Sequence, residues 1–201
     1  MSVQHQSIEN LPLFPLEIIV LPGETRFLHI FEQRYKNLFE DIEKSDRIFG
    51  IPYVLRGRME GIGSLVRFEK TLAKYPNGEV DIAIKGVDLV SIKSYNAEHN
   101  ERLYPYGNIE TLDKNSINAS RSLLDAFEKY NQKVLKLDLA KFPNMNFYVI
   151  ANSIGLSDLE KYDLLIREGD TAINRTLINH IKLKTILASQ HSALQEFYCL
   201  N

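Results

Sequence analysis

The sequence predicts an α+β chain in two parts: a β-rich half over residues 1–112 and an all-helical bundle over residues 113–201. Three observations carry this reading. Short β-branched and aromatic runs, punctuated by glycines and prolines, recur as far as residue 112 with one helical interruption. From about residue 113 the apolar spacing becomes helical. In that second half Ser157 and Glu160 stand in capping-box positions and Asp170 is placed to cap a further helix. A chain of 201 residues, 44% hydrophobic and 25% charged, suits one generous domain or two small ones.

Residues 1–10 read as a loose polar leader. In "LPLFPLEIIVLPGE" (11–24), the run 16–21 lies between Pro15 and Pro22 and reads as a first strand, and Pro22-Gly23 as a type II turn. Residues 26–31 form the second strand. Residues 32–44 change period, with Tyr35, Leu38, Phe39 and Ile42 on one helical face and Glu32–Lys36 and Glu40–Lys44 as favourable pairs. Strands follow at 47–55, 61–75, 79–95 and 102–112, with "PNG" (76–78) as a hairpin turn and glycines 61, 63 and 86 as bends or bulges. About six strands and one helix predict a small closed or nearly closed β-barrel. In the bundle, residues 122–137 put Leu123, Leu124, Phe127, Tyr130 and Val134 on one stripe. Residues 144–154 form a short, very apolar helix, and 157–168 a capped one. The last, long helix carries Ile173, Leu177, Ile181 and Leu187.

The net charge of −2 gives no general attraction to phosphate backbones or anionic lipid. The opening stretch lacks the basic n-region and small-residue cleavage site of a signal peptide, and Glu17, Glu24 and Arg26 interrupt it as a membrane span. One cysteine, Cys199, makes neither an internal disulfide nor a zinc cage, so a cytoplasmic, reducing location is expected. Histidines 5, 29, 99, 180 and 191 are scattered, so no metal site is readable, and His29 reads as a strand residue with a satisfied ring. "GIGS" (61–64) lacks the lysine and helix of a phosphate loop, and there is no GxSxG elbow. Ser153 reads as a helix-end cap. No catalytic residue and no cofactor are expected. The barrel half is rich in aromatics, Tyr53, Phe68, Tyr75, Tyr95, Tyr104 and Tyr106, which read either as barrel core with ordinary surface or as contact residues. Tyrosine offers rigid contact area with a polar tip, so Tyr53, Tyr75, Tyr104 and Tyr106 are the candidate peptide contacts. A seam between barrel and bundle is the other candidate site.

"LPLFPLEIIVLPGE" followed by "RFLHIFEQRYKNLFEDI" resembles the start of the N-terminal, substrate-binding domain of the Lon ATP-dependent proteases. Leu11, Pro12, Leu13, Pro15, Leu16 and the Pro22-Gly23 turn occupy the family's positions. Ile62-Gly63, the 76–78 hairpin and Gly86 resemble its next block, and "GLSDLEKYDLLIREGDTAINRTLINHI" its helical segment. The resemblance spans about residues 10–190. It implies a PUA-like pseudo-barrel followed by the bundle. It also implies a substrate-recognition role toward protein or peptide segments, with a full-length Lon protease or its substrates as partners. The 201 residues contain neither the ATPase nor the serine–lysine peptidase module, so the resemblance is to stand-alone bacterial Lon-domain proteins, and a non-enzyme is expected. Two alternatives stand beside it. One is RNA binding, for which Arg56, Arg58 and Arg67 form the only modest basic cluster and which the acidic balance disfavours. The other is small-molecule sensing with a pocket at the seam.

Overall fold

The computed structural model describes residues 6–97, 104–112, 117–142 and 145–199, with 191–199 as backbone. His5 and His99, and the side chains of His191 and Cys199, lie outside the described residues. The chain divides into two compact units, Met1–Asn115 and Ser116–Asn201. The fold is α+β.

The first unit runs β1 (Ser7–Pro12), β2 (Thr25–Ile30), α1 (Gln33–Glu43), β3 (Ile48–Leu55), β4 (Arg58–Lys74), β5 (Val80–Ile92) and β6 (Tyr106–Thr111). All ladders are antiparallel, in the order β1-β6-β5-β4-β3, with β2 beside β5. The sheet does not close into a barrel. Residues 13–16 reach β3 through two isolated parallel bridges, Leu13 with Gly50 and Leu16 with Tyr53. Phe14 N donates to Gly50 O (2.8 Å), Leu16 N to Pro52 O (3.1 Å) and Val54 N to Leu16 O (2.8 Å). An unbroken parallel ladder would also need residue 52 to donate to the Phe14 carbonyl, and Pro52 has no N–H.

Two expectations at the start of the chain are corrected. Part of the expected leader is strand: β1 begins at Ser7 and pairs with β6, bulging near Asn10, whose φ is 53°. The expected strand 16–21 is instead an irregular run between two prolines, exposed at Glu17 and buried from Ile19 onward. Ile19, Val20 and Leu21 are wholly buried, and side chains take over the role of ladder partners. Val20 N donates to Ser64 Oγ and Leu21 N to Glu24 Oε2, each at 2.9 Å. The Pro22-Gly23 turn forms as expected, with Glu24 N on Leu21 O (2.9 Å) and Gly23 at φ 81°. Arg56 and Gly57, at φ 52° and 76°, make a two-residue hairpin turn of type I′ handedness, so β4 starts three residues before its expected position.

α1 buries Tyr35, Leu38, Phe39 and Ile42, the four residues its period singled out. They pack with Phe49 and Ile51 of β3, Val66 and Phe68 of β4, and Ile82 and Ile84 of β5. The rings of Phe39 and Phe49 meet edge-on at 5.3 Å. The expected Glu32–Lys36 pair does not form. Glu32 lies at the cap position and bonds Arg34 (2.8 Å), while Lys36 Nζ reaches across to Asn77 O (3.2 Å).

The second unit contains α2 (Arg121–Tyr130), α3 (Phe147–Ser153), α4 (Asp158–Leu165) and α5 (Asp170–Cys199). Ser120 caps α2 by accepting from Leu123 N, and Ser157 and Glu160 form the expected capping box. The expected helix 122–137 widens after Tyr130: Lys136 N donates to the carbonyl of Asn131, five residues back, and Lys136 turns to φ 55°. Leu123, Phe127, Tyr130, Ile173, Leu177 and Ile181 are buried, whereas Leu187 is 53% exposed and outside the core. Ser153 does not cap; its hydroxyl donates to Val149 O, and Gly155 at φ 64° ends the turn. Among the described residues no helix is long and apolar enough to cross a membrane.

Candidate functional site

The four sequence-predicted tyrosines are not brought together. Tyr53 and Tyr104 are 3% and 4% exposed, so their rings are core rather than contact surface, and Tyr104 Oη donates to Asp41 (2.8 Å). Tyr106, at the start of β6, is half-buried. Tyr75 is 42% exposed, at the root of the β4–β5 hairpin, and a candidate surface is built around it.

On one side of Tyr75 the hairpin and α1 enclose a groove of about 230 Å³. Phe39, Phe68, Val80 and Ile82 supply its apolar lining, and Lys36, Glu40, Glu43, Lys74 and Glu79 its charges. Two hydrogen bonds hold its walls at their spacing. Lys36 Nζ donates to the hairpin carbonyl of Asn77 (3.2 Å), and Thr71 Oγ1 on β4 donates to Glu43 (3.1 Å).

On the other side lies an aromatic strip. Alternation along β2 sends Leu28 and Ile30 toward the core and Phe27 and His29 outward. Phe27 is 69% exposed, and Phe31, just past the strand, 59%. The His29 ring stacks on Phe31 (centroids 6.1 Å) and meets Tyr75 edge-on (5.8 Å). Register places His29 opposite Asp81, and His29 Nδ1 lies 2.7 Å from Asp81 Oδ1. Its Nε2 lies 3.2 Å from Glu79 Oε2, and Tyr75 Oη donates to Asp81 Oδ2 at 2.6 Å. Carboxylate oxygens only accept, so both ring nitrogens are satisfied together only as the imidazolium. Accordingly the hydrogen bond to Asp81 holds the His29 pKa above the ordinary value, against a smaller opposing effect of desolvation. The bonds from Tyr75 and His29 hold the Asp81 carboxyl below its ordinary value.

The His29 contribution to stability is complete below the unfolded value of about 6.5 and fades as pH rises through its higher folded value. The Asp81 contribution is complete above the unfolded carboxyl value and fades as pH falls through the lower folded one. Asp81→Asn is therefore expected to bring the His29 pKa down toward the ordinary value, read from its imidazole proton shifts in an NMR titration. An unmoved midpoint would show that Asp81 does not set it.

His29 thus has the satisfied ring that its strand position suggested. Its partners lie 50 and 52 positions away, a distance no local pattern spans. Among the described residues no three histidine, cysteine or acidic side chains are grouped to hold a metal ion. The arrangement offers rigid aromatic area, a small apolar groove and a mixed-charge rim, which is the chemistry of protein contact.

The fold is that of solved Lon N-terminal domains. A Lon N-terminal domain protein from Xanthomonas campestris superposes with a TM-score of 0.62 at 24% identity, covering 91% of this chain and 98% of that one. The N-terminal domain of the Mycobacterium avium complex Lon protease gives 0.63 at 15% identity, covering 88% and 98% respectively. Comparison with curated proteins gives no match. The family model for the ATP-dependent protease La (LON) substrate-binding domain matches residues 10–175, and the chain belongs to that family.

Proposed function

We propose that this chain is a non-catalytic protein-binding module that holds exposed segments of substrate or partner proteins on the surface around Tyr75. The observation that carries the reading is the adjoining exposure of Phe27, Phe31 and Tyr75 beside an apolar-lined groove, in a chain whose family is a substrate-binding domain. Large aromatic side chains left in water favour a covering partner, and aromatic anchors dominate protein-contact energetics. A full-length Lon protease or the proteins it degrades are the partners in view, and a cytoplasmic location suits a single cysteine.

Fluorescently labelled unfolded casein, titrated with the protein in the presence of magnesium and ATP, is expected to bind without release of peptides. The double substitution Phe27→Ser, Phe31→Ser is expected to weaken binding by about tenfold or more. Its thermal midpoint should stay near the wild-type one, because both rings are more exposed than buried. Peptide release by this chain, or no binding at all, would sink the proposal.

A further inference from the structure

We propose that the free edge of β2 accepts an extended segment of a protein substrate as an added strand, with an apolar residue of that segment beside Phe27. This rests on the protein-binding reading above and specifies how the segment is held.

The register of β2 decides which backbone groups are available. Gly86 N donates to Glu24 O (2.8 Å), and the pairing continues without a slip from Thr25 with Lys85 to Ile30 with Val80. Hydrogen-bonded pairs alternate in an antiparallel ladder. Arg26, Leu28 and Ile30 therefore bond toward β5, and the N–H and C=O groups of Thr25, Phe27 and His29 point away from it. Among the described residues no strand pairs with that side of β2, and no loop backbone bonds those three residues.

Such an edge is ordinarily blunted by proline, lysine or a bulge. β1 shows two of these devices, Pro12 and the bulge near Asn10. β2 has no proline, lysine or bulge. Its one arginine, Arg26, takes the core-side parity and pairs with Glu24 (3.5 Å), and Phe27 on the outer face is 69% exposed. An undefended edge carrying an exposed phenylalanine is suited to strand addition, in which backbone bonds supply affinity without sequence and alternate side chains supply selectivity.

Charge along the outer face says what that selectivity is. Thr25 lies opposite Lys85, Phe27 opposite Ala83 and His29 opposite Asp81, with Glu79 on the other nitrogen of His29. Lys85 is exposed and has no ion pair among the described residues. The face is therefore positive at the Thr25 end, apolar at Phe27 and negative at the His29 end, where two carboxylates outweigh at most one imidazolium. A segment running antiparallel to β2 complements it when it reads basic, any, apolar, any, acidic. A nucleic-acid strand would meet the two carboxylates with its own negative charge.

The test uses the whole chain and a labelled nine-residue peptide with the core lysine–threonine–phenylalanine–threonine–glutamate, read by fluorescence anisotropy. Methylating the amide nitrogen of the core phenylalanine, which faces β2, should weaken binding by about tenfold. Methylating either threonine amide, which faces away, should change it by less than about threefold. Exchanging the lysine and glutamate should weaken it by about fivefold. Thr25→Pro should weaken it by about fivefold with an unchanged thermal midpoint, because the amide it removes bonds nothing within the sheet. If casein binds but the peptide does not, or the peptide ignores the methyl groups and Thr25→Pro, strand addition is wrong while protein binding stands. If single-stranded RNA displaces the peptide at equal concentration, the edge has a different occupant. If neither casein nor peptide binds, both readings fall.

Discussion

Gly86→Ala is expected to destabilise the sheet unit by about 3 kcal/mol, the upper end of what an overpacked site costs. In a chain of this size that lowers a melting midpoint by about 6–12 °C. A Cβ at residue 86 would fall on the carbonyl oxygen of Leu21, and it would lie 2.7 Å from Leu21 C and 3.2 Å from Val20 Cγ1. The obstacle is backbone, so no rotamer change relieves it. Leu21 cannot retreat, because it is wholly buried and held at both ends of its peptide. Its N–H donates to Glu24 Oε2 (2.9 Å) and its carbonyl accepts from Glu24 N (2.9 Å). Gly86 is itself tied into the same turn, with its N–H on Glu24 O (2.8 Å) and its carbonyl accepting from Gly23 N (2.9 Å). Relieving the clash therefore strains or breaks hydrogen bonds that set the entry of β2. Gly61→Ala is the matched control: a Cβ there meets nothing within 4 Å, and its melting midpoint should lie within about 2 °C of wild type. Equal melting of the two variants would refute this account of Gly86.

Much of this architecture could be read from the sequence, and the misses have physical causes. α1 was legible because four apolar residues at helical spacing all face one core. The capping box at Ser157 was legible because its two partners are three residues apart. The run 16–21 departs from its expected strand because "LEIIVL" has the composition of a strand while its flanking prolines and the close approach of Gly86 deny it a ladder. Burial and strand character are separate properties, and composition reports the first. Of the candidate site, residue type singles out Tyr75 together with Tyr53 and Tyr104, which the fold places in the core. Tyrosine type alone does not say which face of a strand a residue takes. In "RFLHIF" apolar residues occur at both parities, so Phe27 and Phe31 could not be told from Leu28 and Ile30 without knowing which side the core occupies. The charge order along β2 depends on β5, more than fifty residues later.

Asn174→Ala should destabilise the helical unit by about 3 kcal/mol, because one side chain there satisfies three backbone groups. Asn174 is on α5 and 5% exposed. Its Nδ2 donates to Asn118 O (2.9 Å) and Asp170 O (2.7 Å), and its Oδ1 accepts from Ser120 N (2.7 Å). It thereby fixes the segment that leads into the Ser120 cap of α2, a tie spanning 54 positions that local spacing does not reveal. Asn174→Asp separates the hydrogen bonds from simple packing. The aspartate keeps the acceptor for Ser120 N but sets an oxygen against two carbonyls, so its ionised form is disfavoured and its folded pKa should rise above the unfolded value. Protonation then restores one donor, and the loss of stability relative to wild type should be smaller near pH 4 than near pH 7. Asn174→Ala has nothing to titrate, and its loss should be the same at both. Parallel behaviour of the two variants across that range would mean that Asn174 acts by filling space rather than by its amide.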